Sequence, residues 1–416
     1  MSRYLLAAAI LAFSLPSFAA DGKLEAGNWR LSQSINPVSE FALCVLNVEK
    51  KDGVYRAEIG ATAPKLAIKV VSLKVDGENV VAQFTLGATK YAFEGVIDPK
   101  EPKVIRGSFR DDRRTMRGIL ASQEAADKIE TAMRPKAPEA YTQLVKLNNE
   151  PLQLRFKANQ TKDANEKAEL LAKAAEAQKE ADEKAPDLLR EMLTKNADSP
   201  YGVEAANRLV AGAAKNKLTT KELATCLALI ETDVKKFGPI VAQDSLASIT
   251  ESLLVQKGFE ADALKLATTA KDSLKETEAL AFQSRVLKAY VTAQKLNGKM
   301  DEATQTKLNK IEDKLDQQYL AKVPPFQPKM YTGRKEGANR VAVMELFTGA
   351  QCPPCVAADV AFDALGKAYK SSDVVLIQYH MHIPGPDPLT NPSSVARWDY
   401  YREKAPMAIR GTPSTL

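Results

Sequence analysis

The chain has 416 residues, of which 45% are hydrophobic and 26% charged, a composition typical of a soluble globular protein with roughly two to four domains. The net charge of +6 is spread over 58 basic and 52 acidic residues, which argues against the dense basic surface of a nucleic-acid-binding protein. Only four cysteines are present, which excludes a scaffold stabilised mainly by disulfides.

Residues 1–19 have the pattern of a secretory signal peptide. Arg3 precedes an apolar segment, and Pro16 ends that segment shortly before small residues at a cleavage site after Ala19. The apolar segment has about ten residues, too few to cross a bilayer. We therefore expect export to the periplasm or the extracellular space, and no membrane span once the signal peptide is removed.

Residues 20–122 form the first predicted domain, which is β-rich. Short segments rich in β-branched and aromatic residues alternate with turn signals, and Asp52-Gly53 and Asp76-Gly77 favour hairpins because Asp and Gly tolerate positive φ. The predicted strands are 41–48, 54–59, 66–75, 80–86, 90–97 and 115–121. Their spacing predicts an antiparallel barrel or sandwich.

Residues 123–322 are predicted to be all-α. Segment 157–185 consists mainly of strong helix formers and is expected to be an exposed helix or a short coiled-coil arm that ends at Pro186. Apolar residues at three- and four-residue spacing predict further helices over 201–216, 220–237, 243–258, 260–274, 276–298 and 301–320. Gly258 and Gly298, 40 residues apart, weakly resemble the repeat of tetratricopeptide-like helical hairpins. Such a solenoid-like region could bind a protein partner.

Two cysteines lie in these domains, Cys44 in an apolar predicted strand and Cys226 in an apolar helix. Both are predicted to be buried and inert. Residues 323–339, rich in Pro, Gly and charge, are predicted to be a linker.

The last segment, residues 340–416, holds the other two cysteines in a Cys-Pro-Pro-Cys motif at 352–355. A predicted strand precedes the motif, a predicted helix begins at its prolines, and a second buried strand is predicted over 373–379. Gly-Thr-Pro follows near the end, with its proline at Pro413. This arrangement resembles the thioredoxin superfamily, and most closely a subset of exported thioredoxin-like proteins of uncharacterised role.

The resemblance implies an α/β thioredoxin-like domain that is incomplete at its C-terminus, since one more strand and a helix would be expected after Leu416. It implies that Cys352 is the attacking thiol and Cys355 the resolving one. It further implies that Pro413 is cis and presents the backbone of Thr412 to an extended substrate. The start of a helix would favour the Cys352 thiolate.

The chain also departs from the ordinary thioredoxin pattern. The interval from Cys355 to Pro413 is longer than usual, and it contains the only two histidines, His380 and His382. If they share one face of a strand, they could bind copper or zinc together with the two cysteines and Asp387. Alternatively, one histidine packs near the dithiol and the extra residues shape a substrate cleft.

The sequence therefore predicts a multidomain protein: an N-terminal β barrel or sandwich, a central helical region and a C-terminal thioredoxin-like domain. We expect an exported thiol–disulfide oxidoreductase acting on protein or small-molecule disulfides and thiols, with no cofactor besides its dithiol. The alternative is a non-enzymatic interaction scaffold with a Cys/His metal site.

Overall fold

The computed structural model describes residues 23–111, 114–130, 135–161, 163–321, 328–334, 340–383, 385–405 and 409–416. The contacts between residues divide the chain into two compact units, Met1–Asn309 and Lys310–Leu416. The predicted signal peptide lies outside the described residues. Within the described part of the chain, no helix is both long and apolar enough to cross a membrane.

The first unit begins with one antiparallel sheet. Its strands among the described residues are β1 (Gly27–Asn36), β2 (Ser39–Lys51), β3 (Val54–Thr62), β4 (Ile68–Asp76), β5 (Asn79–Leu86), β6 (Thr89–Val96), β7 (Val104–Arg110) and β8 (Thr115–Gln123). The strand order is β3-β2-β1-β8-β7-β6-β5-β4. The edge strands β3 and β4 lie next to each other without joining into a hydrogen-bonded ladder, so the sheet is a nearly closed barrel.

The two predicted hairpins are confirmed. Asp52 and Gly53 adopt φ values of 53° and 77° between β2 and β3, and Gly77 adopts 57° between β4 and β5. The barrel interior is filled by large side chains that include Trp29 and Phe84, both buried. Alternating apolar residues therefore supply the core, and the turn residues set the strand pairing.

Two strands of the barrel, β1 and β7, were not predicted. In β7, Gly107 lies in register between Gly95 of β6 and Gly118 of β8. A Cβ atom at Gly107 would lie 2.1 Å from the carbonyl oxygen of Glu94, and one at Gly118 would lie 2.8 Å from the ring of Phe93. Close packing thus requires glycine in the middle of β7, and this glycine interrupts the alternation by which strands are recognised.

The rest of this unit is helical. The helices are α1 (Glu139–Gln160), α2 (Ala164–Lys195), α3 (Pro200–Ala211), α4 (Thr220–Lys235), α5 (Pro239–Leu254), α6 (Glu260–Ser273), α7 (Leu280–Leu296) and α8 (Glu302–Leu320), the last of which crosses the boundary between the units. The expected end at Pro186 is wrong, because α2 continues through it. Buried Leu189 and Met192 lie beyond the proline, and their packing offsets its missing hydrogen bond.

The two glycines of the expected 40-residue repeat have similar backbone conformations. Gly258 and Gly298 both adopt positive φ, 94° and 64°, shortly before the starts of α6 and α8. The equivalent positions in the two following helices are not alike, since Ala263, five residues after Gly258, is buried, and Ala303, five residues after Gly298, is exposed. The resemblance to tetratricopeptide-like arrays stays a prediction.

The second unit is a small α/β fold. Its elements after α8 are β9 (Ala342–Thr348), α9 (Cys355–Ala368), β10 (Val374–His380), α10 (Pro392–Lys404) and β11 (Ser414–Thr415). The sheet order is β10-β9-β11, with β10 parallel and β11 antiparallel to β9. Phe347, Met381, Trp398 and Ile409 form a buried cluster.

Part of the predicted linker packs on this second unit. Arg334 forms an ion pair with Asp373 at 2.8 Å, and the ring of Tyr331 stacks on that of Tyr369 at 4.9 Å between centroids. Residues 328–334 are therefore an ordered extension of the α/β unit. Residues 323–327 and 335–339 of the predicted linker lie outside the described residues.

Candidate functional site

The two cysteines of the Cys-Pro-Pro-Cys motif are joined by a disulfide with an S–S distance of 2.08 Å. Strand β9 ends at Thr348 and α9 begins at Cys355, so Cys352 lies in the intervening turn, just before the first helical turn. The sequence had placed the helix start at the prolines. Cys352 is 5% exposed and Cys355 1%, so the predicted attacking sulfur belongs to the more accessible residue.

Backbone hydrogen bonds hold this turn together. The amide of Cys352 donates to the carbonyl of Gly349 at 3.1 Å, and the amide of Cys355 donates to the carbonyl of Cys352 at 2.9 Å. Pro353 and Pro354 between them have no amide hydrogen to donate. The prolines therefore stiffen the turn and reduce the number of N–H groups near the disulfide.

The predicted substrate-binding residues lie beside Cys352. The Thr412–Pro413 peptide bond is cis, as predicted. The sulfur of Cys352 lies 3.5 Å from both the carbonyl oxygen and the Oγ1 atom of Thr412. The next residue, Ser414, begins β11 and pairs with Phe347 of β9. The topology thus brings the end of the described chain to the dithiol turn.

Asp387 connects the predicted metal-ligating residues to that turn. Its Oδ2 atom accepts hydrogen bonds from the Ala350 amide at 2.7 Å and from His380 Nδ1 at 2.9 Å, and its Oδ1 accepts one from the Leu389 amide at 2.8 Å. Its side chain is fully buried. Burial acts to raise the pKa of Asp387, but the bonds from His380, Leu389 and Ala350 outweigh it, and the pKa lies below its usual value. Asp387 is thus a buried carboxylate beside the dithiol turn.

The two histidines do not share one face of a strand. Strand β10 ends at His380, and His382 lies beyond it. The amide of Asp387 donates to Nδ1 of His382 at 3.0 Å, so this nitrogen carries no hydrogen, whereas Nδ1 of His380 faces a carboxylate and donates. Asp387 therefore accepts a hydrogen bond from one ring through its side chain and donates one to the other ring through its backbone amide.

The metal alternative gains no support from this geometry. Within the described residues, no group of three or more His, Cys, Asp or Glu side chains is placed to hold a metal ion. The sulfurs of Cys352 and Cys355 are bonded to each other. Of the other predicted ligands, Asp387 is hydrogen-bonded to His380 through its side chain and to His382 through its backbone amide.

The loop after β10 covers the dithiol turn. The side-chain amide of Gln351 donates to the carbonyl of Pro386 at 3.3 Å, and Thr412 Oγ1 donates to the carbonyl of Ile383 at 3.3 Å. A Cβ atom on Gly349 would lie 2.3 Å from that same Ile383 carbonyl, so the loop can approach this closely only over a glycine. The unusually long segment between Cys355 and Pro413 therefore includes a loop that packs against the turn containing Cys352.

A polar network around the buried Glu345 was not predicted. Glu345, in the middle of β9, accepts two hydrogen bonds from Arg397 at 2.8 Å each, one from Tyr379 at 2.9 Å and one from Tyr401. The bonds from Arg397 lower the pKa of Glu345 to about 2 against the opposing effect of burial. This network ties β9 to β10 and α10. A single acidic residue inside the apolar strand sequence was the signal that could have indicated it.

No protein-family model, curated protein or solved structure matches this chain. The functional conclusion therefore depends on the geometry around Cys352.

Proposed function

We propose that the second unit carries out thiol–disulfide exchange, with Cys352 as the attacking and Cys355 as the resolving residue. The observation that carries this proposal is the disulfide in the turn before α9, with the carbonyl and hydroxyl oxygens of Thr412 at 3.5 Å from the Cys352 sulfur. Two cysteines separated by two residues close a very short loop, which would stabilise the fold little. Reversible chemistry explains the pair better than stabilisation does.

The order of elements supports the same reaction. A strand leads into the dithiol turn, a helix follows it, the next strand is parallel to the first, and a cis proline precedes an antiparallel strand. In thioredoxin-like proteins this arrangement exposes one sulfur of the pair to an extended substrate. The resemblance seen in the sequence and this topology both support the proposal of a thioredoxin-like site.

In the forward reaction, the Cys352 thiolate attacks one sulfur of a substrate disulfide. A mixed disulfide forms, the substrate S–S bond breaks, and the leaving thiolate takes a proton from water. The Cys355 thiolate then attacks the sulfur of Cys352, which closes the intramolecular disulfide and releases the second substrate thiolate. Two electrons pass from the dithiol to the substrate. The reverse sequence transfers them from a substrate dithiol to the protein.

The backbone at Thr412 suits a substrate bound in an extended conformation. An extended peptide can pair its main chain with this segment, which would hold the substrate disulfide near Cys352. Protein disulfides in an exported compartment are therefore the proposed substrate class, together with small-molecule disulfides. The proposed export depends on the signal-peptide pattern of residues 1–19.

The test uses the full-length chain and measures reduction of insulin disulfides and exchange with glutathione. We expect activity in the wild type and a loss of at least about a hundredfold in Cys352→Ser, because a serine hydroxyl does not replace a thiolate nucleophile. Cys226→Ala, which alters a buried cysteine of the other unit, is the matched control and should retain activity. A wild-type protein whose pair does not exchange with glutathione would contradict the proposal.

A further inference from the structure

We propose that Asp387 biases the Cys352–Cys355 pair toward the disulfide, so that the reduced protein donates electrons to its substrates. This inference rests on the proposed exchange function and adds its direction. Asp387 would not be a catalytic residue, because its hydrogen bond to the dithiol turn goes to the Ala350 amide. It would act on the Cys352 sulfur through its negative charge.

The first observation is the location of a fixed negative charge. The Asp387 carboxylate is fully buried and accepts a hydrogen bond at 2.7 Å from Ala350, two residues before Cys352. Charges shielded from solvent act on each other more strongly than charges at the surface. A thiolate at Cys352 would have the same sign as this carboxylate, and the two would repel each other.

The second observation concerns the groups that could stabilise that thiolate. The start of α9 favours a negative charge. However, Pro353 and Pro354 have no amide hydrogen, and the amide of Cys355 is bonded to the carbonyl oxygen of Cys352. None of the three positions after Cys352 therefore offers a free amide to its sulfur.

Within the part of the chain that the structure describes, two polar atoms of Thr412 lie next to the Cys352 sulfur. Its carbonyl oxygen, at 3.5 Å, is an acceptor and cannot stabilise a thiolate. Its hydroxyl, also at 3.5 Å, can donate, but its single hydrogen is shared with the carbonyl of Ile383 at 3.3 Å. The thiolate thus has weak support from donors and a buried carboxylate nearby.

The redox behaviour of the pair depends on whether the protein stabilises its dithiol or its disulfide form. A protein that stabilises the thiolate favours the dithiol form, so its disulfide is a strong oxidant. A protein that destabilises the thiolate favours the disulfide form, so its dithiol is a reductant. The equilibrium is protein disulfide plus two glutathione molecules giving protein dithiol plus one glutathione disulfide. Asp387 should move this equilibrium toward the protein disulfide. The reduced protein would then transfer two electrons to a substrate disulfide, and a thiol reductant would restore it.

The test equilibrates the full-length protein in glutathione redox buffers at about pH 9.5, where a thiol of ordinary pKa is mostly ionised, traps free thiols with an alkylating agent and counts them by mass spectrometry. We expect Asp387→Asn, which is nearly isosteric and uncharged, to shift the equilibrium constant about 5- to 20-fold toward the dithiol. A tenfold shift corresponds to about 30 mV for a two-electron couple. If Asp387 only supported the fold, folded Asp387→Asn would have the same equilibrium constant as the wild type.

Two further variants complete the experiment. Asp399→Asn removes the same charge from an exposed position on α10 and should change the constant by less than about twofold. His380→Ala removes a donor from the Asp387 carboxylate but keeps its charge, so it should shift the equilibrium in the opposite direction, toward the disulfide. This second variant decides the question if Asp387→Asn does not fold.

The two proposals can fail separately. If the wild-type pair does not exchange with glutathione, the proposed function fails. If the wild type exchanges but folded Asp387→Asn has the same constant, or one shifted toward the disulfide, only the role of Asp387 is overturned. In the absence of folded Asp387→Asn, an unchanged constant in His380→Ala, or one shifted toward the dithiol, overturns it as well.

Discussion

The two units place their cysteines in opposite environments. In the first unit, Cys44 of β2 and Cys226 of α4 point into apolar cores, and burial raises the pKa of Cys44 to about 12 and that of Cys226 to about 11. In the second unit, Cys352 and Cys355 lie where a strand passes into a helix, next to polar backbone atoms. The position of a cysteine in the fold, rather than the apolar character of its sequence neighbours, decides whether its sulfur can react.

The sharpest test of this comparison is thiol reactivity in the folded, reduced protein. At pH 8 a thiol with a pKa of about 12 has roughly a thousandfold less thiolate than an ordinary cysteine, and only the thiolate reacts. Because Asp387 is proposed to disfavour the Cys352 thiolate by about 5- to 20-fold, we expect iodoacetamide to label Cys352 about a hundredfold faster than Cys44. Peptide mapping by mass spectrometry would measure both rates.

Unfolding provides the control for this experiment. In denaturant, all four cysteines should react at similar rates, because the burial that raises the pKa of Cys44 is removed. The comparison would fail if Cys44 in the folded protein reacted as fast as Cys352.

In both units, the features that the sequence predicted are local ones. In the barrel, β-branched alternation and the turns at Asp52-Gly53 and Gly77 indicated six of the strands. In the second unit, Cys-Pro-Pro-Cys and Gly-Thr-Pro indicated the dithiol and the cis bond at Pro413. These features are local, since a turn residue or a motif carries its own signal.

Features that depend on contacts across the fold were not predicted. The contact between Asp387 and Ala350 forms because the loop after β10 returns over Gly349 and Ala350, which no spacing rule reveals. Helix α10 is a different case, because its start signal is local. Asn391 caps the helix with its side chain and is followed by a proline, and this recognisable signal was overlooked. The side-chain partners of Glu345 come from two other elements, β10 and α10. Such contacts follow from the tertiary structure, and the sequence alone does not identify them.

Glu345 offers a second test, now of stability. Glu345→Gln weakens the bonds from Arg397, and we expect the second unit to lose about 2 kcal/mol, less than for a fully enclosed pair because the Arg397 side chain is 39% exposed. Calorimetry should show a lower transition temperature for this unit. Gln378→Ala, which removes a hydrogen bond to Asp359 in the same unit, is the comparison variant and should cost less.

The same substitution has a defined pH dependence. The pKa of Glu345 is about 2 in the folded protein, below its usual 4.5, so its contribution to stability is complete above about pH 4.5 and is lost as the pH falls toward 2. The difference in transition temperature between wild type and Glu345→Gln should therefore shrink in acid. A difference that stayed constant from pH 6 to pH 3 would contradict the assignment of this pKa to Glu345.

The smallest expected effect comes from the first unit, where a polar contact joins the barrel to the helices. Arg117 of β8 forms an ion pair with Asp233 of α4 at 2.8 Å, and its guanidinium lies 5.3 Å from the centre of the Phe237 ring. Arg117→Ala removes both interactions. Because Lys236 also lies 3.8 Å from Asp233, that carboxylate keeps a cation nearby. We therefore expect a loss of only about 1 kcal/mol in the free energy of unfolding of this unit.

Denaturant titration followed by tryptophan fluorescence would measure the loss, because Trp29 lies in the barrel core and Trp398 in the second unit. Arg155→Ala, at an exposed position on α1, should leave stability unchanged within about 0.5 kcal/mol. Glutathione exchange at Cys352 should keep its wild-type rate in Arg117→Ala. A changed rate would contradict the proposal that the exchange reaction depends on the second unit alone.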